Sequence, residues 1–233
     1  MGIRREKVAK IPYFCGAKAD IMYLNTMRRL FFLLMFLPAM VAAQGLHRSG
    51  SSPEELIPSG WSHQVAEGDF NADGHKDAVV LAHPTDTTNV LAIYFGSETG
   101  KLTLWKEYAD AVVNPNETTL VDTELEVTSR GVIRIRVSVF LTAGGYGSTW
   151  TSYAWRYQKA EENADESDFY LIGKDEHWMS RMSGEDVVES YNYITCKCQR
   201  IVSNAFDETV KPRETWRRIR KEPLQRLGTV EMG

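Results

Sequence analysis

"LVDTELEVTSRGVIRIRVSVFLT", residues 120–142, decides the fold class. Its second half alternates without a break. Ile133, Ile135, Val137, Val139 and Leu141 take every second position, with Arg134, Arg136, Ser138 and Phe140 between them. A period of two marks a half-buried β-strand, because successive side chains point to opposite faces. In the first half Leu125 and Val127 alternate with acids, and Ser129-Arg130-Gly131 turns the chain between the two runs. A hairpin there sets Arg134 and Arg136 opposite Glu124 and Glu126 on the outer face. The arginine pair reads as a solvated sheet face rather than an anion site.

Strand signals repeat on both sides. "DAVVLA" (77–82) is a short apolar run, and "NVLAIYFG" (89–96), the turn "SETGK" and "LTLWKEY" (102–108) suggest a hairpin. Residues 109–119, broken by Asn114-Pro115, are a loop. "TWTSYAWRYQ" (149–158), "FYLIGKDEHW" (169–178) and "VVESYNYITCKCQRIVSN" (187–204) are further strands, the last a candidate hairpin. The acidic "KAEENADESD" (159–168) is a solvated connection. No βαβ rhythm appears, so the expected fold is mainly β, an antiparallel sheet that is curled or sandwich-like. The expected domain is 61–203, after a flexible tether at 44–60 rich in Ser, Gly, Pro and Glu. A C-terminal extension, 204–233, follows it; "ETWRRIRKEPLQRLG" (214–228) predicts a short terminal helix there, broken at Pro223.

The N-terminal region carries an address. From Met27, "MRRLFFLLMFLPAMVAAQG" has a basic start, an apolar run and a small-residue cleavage pattern ending at Ala43, with Gln44 the new N-terminus. The run is far shorter than the ~20 residues of a spanning helix. Residues 1–43 therefore read as an early start plus a signal peptide, with Met27 the true start. No cysteine follows the apolar run to carry a lipid. The expected product is periplasmic or secreted, with no membrane span after cleavage. That segment holds seven Lys and Arg and two Asp and Glu. Of the chain's 27 basic and 31 acidic residues, 20 and 29 then remain, a net of −9. An acidic chain is a poor partner for nucleic acid, whose binding runs on Lys and Arg.

The chemistry-bearing motif is "GDFNADGHKD", residues 68–77. Asp69, Asn71, Asp73 and Asp77 stand at positions 1, 3, 5 and 9 of a loop. Gly74 permits the sharp turn at position 6, and His75 offers a backbone carbonyl at position 7. Calcium takes six to eight hard oxygen ligands from loops of this kind. The bidentate glutamate of an EF-hand is absent, since position 12 is Val80, and a β-rich run follows instead of a helix. The expectation is a strand-flanked loop with a structural calcium ion.

"EGDFNADGHKDAVVLA" with "NVLAIYFGSETGKLTL" resembles a single FG-GAP or VCBS-type repeat, the calcium-loop unit of integrin-like β-propellers. The resemblance implies Asp69, Asn71, Asp73, Asp77 and the His75 carbonyl as ligands. No second copy of the loop follows, and one blade closes no propeller. More loosely, "GSTW", "RYQ" with "FYLIG", and "YNYITCK" resemble segments of an uncharacterised family of exported bacterial β proteins, in which glycine stands at the position of Cys196.

Other candidates are weaker. Tyr153, Trp155 and Tyr157 share one strand face, with Trp150 on the other; together they form a candidate ligand surface, though such rows are more often core. Cys196 and Cys198 lack companions for a zinc site and read as thiols or an incidental strained bridge. "AGGYGS" (143–148) lacks the Gly-Lys-Ser/Thr ending of a phosphate loop. No metalloprotease or serine-hydrolase motif is present. The reading is an exported non-catalytic domain that binds a protein or a glycan. The alternative is a periplasmic or secreted hydrolase acting on an envelope or glycan substrate, which a cleft gathering His83, His177 and acids would favour.

Overall fold

A computed structural model describes residues 45–117, 119–141, 148–159 and 167–233, and Gly45–Gly233 form one compact unit. The signal peptide and early start, most of the glycine-rich turn and most of the acidic connection lie outside the described residues. Among the described residues, twelve strands form two antiparallel sheets. The first has the order β1-β5-β4-β3-β2, from β1 (Ser49–Gly50), β2 (Ser62–Gly68), β3 (Asp77–Thr85), β4 (Thr88–Phe95) and β5 (Leu102–Ala109). The second begins with β6 (Thr119–Val127), β7 (Ile133–Leu141), β8 (Ser148–Gln158) and β9 (Asp168–Met179). It continues with β10 (Glu185–Asn192), β11 (Lys197–Asn204) and β12 (Arg213–Arg218), each paired with the strand before it. This sheet curls into a half-barrel.

The alternation of residues 133–141 is realised in register with β6. Glu124 lies opposite Arg136 and Glu126 opposite Arg134, with ion-pair distances of 3.7 and 3.6 Å. Ile133, Ile135 and Val137 point inward and are buried. They meet Val79, Leu81, Leu91 and Ile93 of the first sheet in one core. Phe95 and Trp105 from the first sheet interlock with Tyr157 and Phe169 from the second, ring centroids 5.3–5.9 Å apart. Beside them Lys106 reaches the buried carboxylate of Asp168 at 2.9 Å.

The run "DAVVLA" lacks alternation because β3 is covered on both faces. Val79 and Leu81 face the second sheet. Ala78, Val80 and Ala82 face a second cluster with Leu56, Ile57, Tyr94 and Leu102. Leu56 and Ile57 belong to the stretch expected to be a tether. That expectation is corrected: residues 45–60 pair through β1, form a 3₁₀ turn at Pro53–Leu56 and close the outer face of the first sheet. Two apolar side chains in a polar stretch outweigh its loop-like composition, because β3 needs a second cover.

The C-terminal expectation is also corrected. Arg213–Arg218 is a strand on the free edge of β11, and there is no α-helix among the described residues. All six residues of β12 are exposed, so no apolar face holds them helical; the open backbone edge of β11 supplies the hydrogen bonds. The extension is part of the domain. Leu227 and Met232 are buried in the main core, and Leu227 N donates to Phe169 O at 2.8 Å. The hairpin expected at 187–204 is present as β10–β11. Its turn holds Cys196 at φ 53°, the left-handed region that glycine prefers. Cys196 and Cys198 are free thiols.

Candidate functional site

The Asp69–Asp77 loop joins β2 to β3, so it is strand-flanked as expected. Its side chains satisfy its own backbone. Asp69 accepts N–H bonds from Asp73 and Gly74 at 3.2 and 3.0 Å. Asn71 Oδ1 accepts from Asp73 N at 2.9 Å, and Asp73 Oδ1 from His75 N at 2.8 Å. This is the Asx-turn chemistry that makes Asp and Asn loop residues. Gly74 takes φ +87° at the sharp turn.

Asp77 behaves differently. It is fully buried, and both of its oxygens hold backbone: Oδ2 accepts from Phe70 N and Oδ1 from Gly96 N, each at 2.8 Å. It clamps the two ends of the loop to the β4 exit. Gly131, at φ +69°, lets the β6–β7 turn press on the loop; a Cβ there would stand 2.2 Å from Asp69 O. Burial pushes the Asp77 carboxyl above the usual aspartate range. The Gly96 and Phe70 N–H groups counter this, and the charges of Asp73 and Asp69 push it further up. Asp73 is held below the usual range, chiefly by the His75 N–H.

Tested against calcium, the donor set is all oxygen, which suits a hard cation. Asp69 and Asp73 form no ion pair among the described residues. Asp77 fits least, since both its oxygens are engaged. Among the described residues, no three His, Cys, Asp or Glu side chains gather closely enough to hold a metal ion as they stand.

The aromatic candidates separate by face. Tyr153 and Trp155 are buried and Tyr157 is half-buried against Phe95, Trp105 and Phe169. The expected ligand surface is thereby corrected: these three are core, because their face of β8 meets the first sheet. Trp150 is on the outer face, where the Arg136 guanidinium lies 4.1 Å from its ring centre and the His177 ring stacks at 5.2 Å. His177 Nε2 is 2.5 Å from Asp186 Oδ1, and Ser203 Oγ donates to Asp186 Oδ2 at 3.2 Å. The hydroxyl meets the carboxylate and not the imidazole, so Ser203 and His177 are not paired in the Ser–His–Asp order of a triad. His83 is elsewhere, in a cleft with His63, Asp86 and Asp122 between β2 and β6. The two histidines that would have favoured a hydrolase lie on different sheets.

The inner face of the curled sheet carries residues the sequence reading passed over. Glu176 of β9 lies directly opposite Glu189 of β10. Lys174 pairs with Glu176 at 2.6 Å. Glu189 accepts from the Tyr191 hydroxyl and lies 3.6 and 3.4 Å from Arg200 and Arg217. The Tyr191 bond above all, then the two arginines, hold the Glu189 carboxyl below its usual range against burial. Period two in "EDVVESYN" and "KCQRIVSN" could have placed Glu189 and Arg200 on one face; their cross-strand partners needed the register.

No family model, curated protein or solved structure matches this chain.

Proposed function

We propose that this is an exported, non-catalytic β domain that works by binding a glycan or protein in the periplasm or outside the cell, with one structural calcium ion in the Asp69–Asp77 loop. Asp69, Asn71, Asp73 and the His75 carbonyl hold the ion, Asp77 anchors the loop, and water completes the shell. The observation that carries the reading is the loop itself. Three carboxylates within nine residues repel one another: beside the burial that already raises the Asp77 carboxyl, the charges of Asp73 and Asp69 push it further up. A cation relieves this; the loop's own N–H groups offset it only in part. No helix among the described residues is long and apolar enough to cross a membrane.

Calcium modules outside the cell bind at ~10⁻⁴ to 10⁻³ M. Calcium at ~100 Kd stabilises the folded form by roughly 2.7 kcal/mol. Thermal unfolding in calcium and in chelator tests this. The wild type should melt higher in calcium, and Asp73→Ala should remove the difference while melting as wild type does in chelator. Superimposable wild-type curves would reduce the loop to a turn.

A further inference from the structure

The inner face of the seven-stranded sheet has an open half. Thr149 and Thr151 of β8, Glu176 and Trp178 of β9, Glu189 of β10 and Arg200 of β11 line a cavity of about 400 Å³ there. They sit on one face because they occupy alternate positions of four strands in register: Thr151 opposite Glu176, Glu176 opposite Glu189, and Glu189 opposite Arg200. The size is within the range of small-ligand sites. Trp178 is 42% exposed although it is the largest side chain of the set.

Two features point to a ligand. Like charges directly opposite on a sheet are destabilising, and Glu176 faces Glu189 with no structural need visible in the core. Each carboxylate is also held by cations of its own: Lys174 on Glu176, and Arg200 and Arg217 with the Tyr191 hydroxyl on Glu189. The charges are compensated, while spare oxygen lone pairs and guanidinium N–H groups remain fixed beside an open aromatic face. Such a surface offers little to a polyanion, since Glu176, Glu185 and Glu189 outnumber Arg200 in the lining. It offers little to a polycation, since the two central glutamates already have partners. It suits a neutral ligand dense in hydroxyl groups, with apolar C–H faces that stack on indole.

We infer that the Trp178–Glu176–Glu189–Arg200 face binds a neutral oligosaccharide, with a sugar ring on Trp178 and its hydroxyls on Glu189, Arg200 and the two threonines. This rests on the binding-domain reading above and names the partner class.

The test uses the full chain after signal removal, with calcium present, on an immobilised array of neutral oligosaccharides of four to six hexose units, followed by calorimetry with the best binder. Trp178→Ala and Glu189→Gln should each weaken binding at least about tenfold, as loss of a central aromatic or charged contact does. Trp216→Ala should bind as wild type; that exposed tryptophan lies on the opposite face, opposite Gln199. Circular dichroism melts of the variants separate lost binding from lost folding. No binding to the array, or binding unchanged by Trp178→Ala, overturns the inference. Spermine binding that depends on Trp178 overturns it too, but leaves a binding domain. Binding with release of new reducing ends keeps the glycan site and overturns the non-catalytic reading.

Discussion

The two halves of the inner face of the curled sheet share one backbone pattern and differ in what lies over them. Toward β6–β8 the face carries Ile133, Ile135, Tyr153 and Trp155, buried under the first sheet. Toward β9–β12 it carries Lys174, Glu176, Trp178, Glu189, Arg200 and Arg217, paired among themselves and partly open. Seven strands cannot all be covered by five, and the uncovered strands hold the charge. Aromatic residues occur on both halves, so an aromatic row does not by itself identify a binding face. Cover decides whether it is core.

The largest expected effect sets one half against the other. Trp155→Ala should cost ~3–5 kcal/mol of stability, as aromatic truncation in a core does. Trp178→Ala should cost under ~1 kcal/mol, as for a surface position. Denaturant melts of both variants check this, and equal losses would erase the distinction.

The Asp69–Asp77 loop sharpens the comparison, because it also mixes buried and open carboxylates. Asp77→Ala strands the N–H groups of Phe70 and Gly96 and should cost ~2–4 kcal/mol even in chelator. Asp73→Ala should cost little in chelator. If melts show the two variants alike there, Asp77 is not the clamp.

The smallest effect is one of pH. Glu189 has a depressed carboxyl in the folded state. Its contribution to stability is therefore full above the ordinary glutamate range and lost as the pH falls through its lower folded value. Melts from pH 6 downward should show an acid-dependent loss that Glu189→Gln removes. Ile135, in the covered half, carries no titrating group, so Ile135→Val should shift the curve without changing its slope. An unchanged acid slope in Glu189→Gln would show that the network contributes nothing.

Much of the fold was legible because local pattern sufficed. The period of two in β7 gave both the strand and its glutamate–arginine register, and the aspartate spacing gave the strand-flanked loop. What was not legible depended on distant partners. Residues 45–60 look like a linker until β3 proves to need a second cover. Residues 213–218 look helical until β11 offers a free edge. Tyr153 and Trp155 gave the same alternation whether exposed or buried. Glu176 and Glu189 became a pair only through the β9–β10 register, thirteen residues apart in the chain.

The division of the inner face is tested most directly by a soluble paramagnetic probe added to protein labelled at its six tryptophan indoles. The Trp178 and Trp216 indole signals should broaden strongly, while Trp155 and Trp105 stay sharp. A Trp178 signal as protected as that of Trp155 would mean that the second half of the face is covered as well, and the open binding surface would not exist.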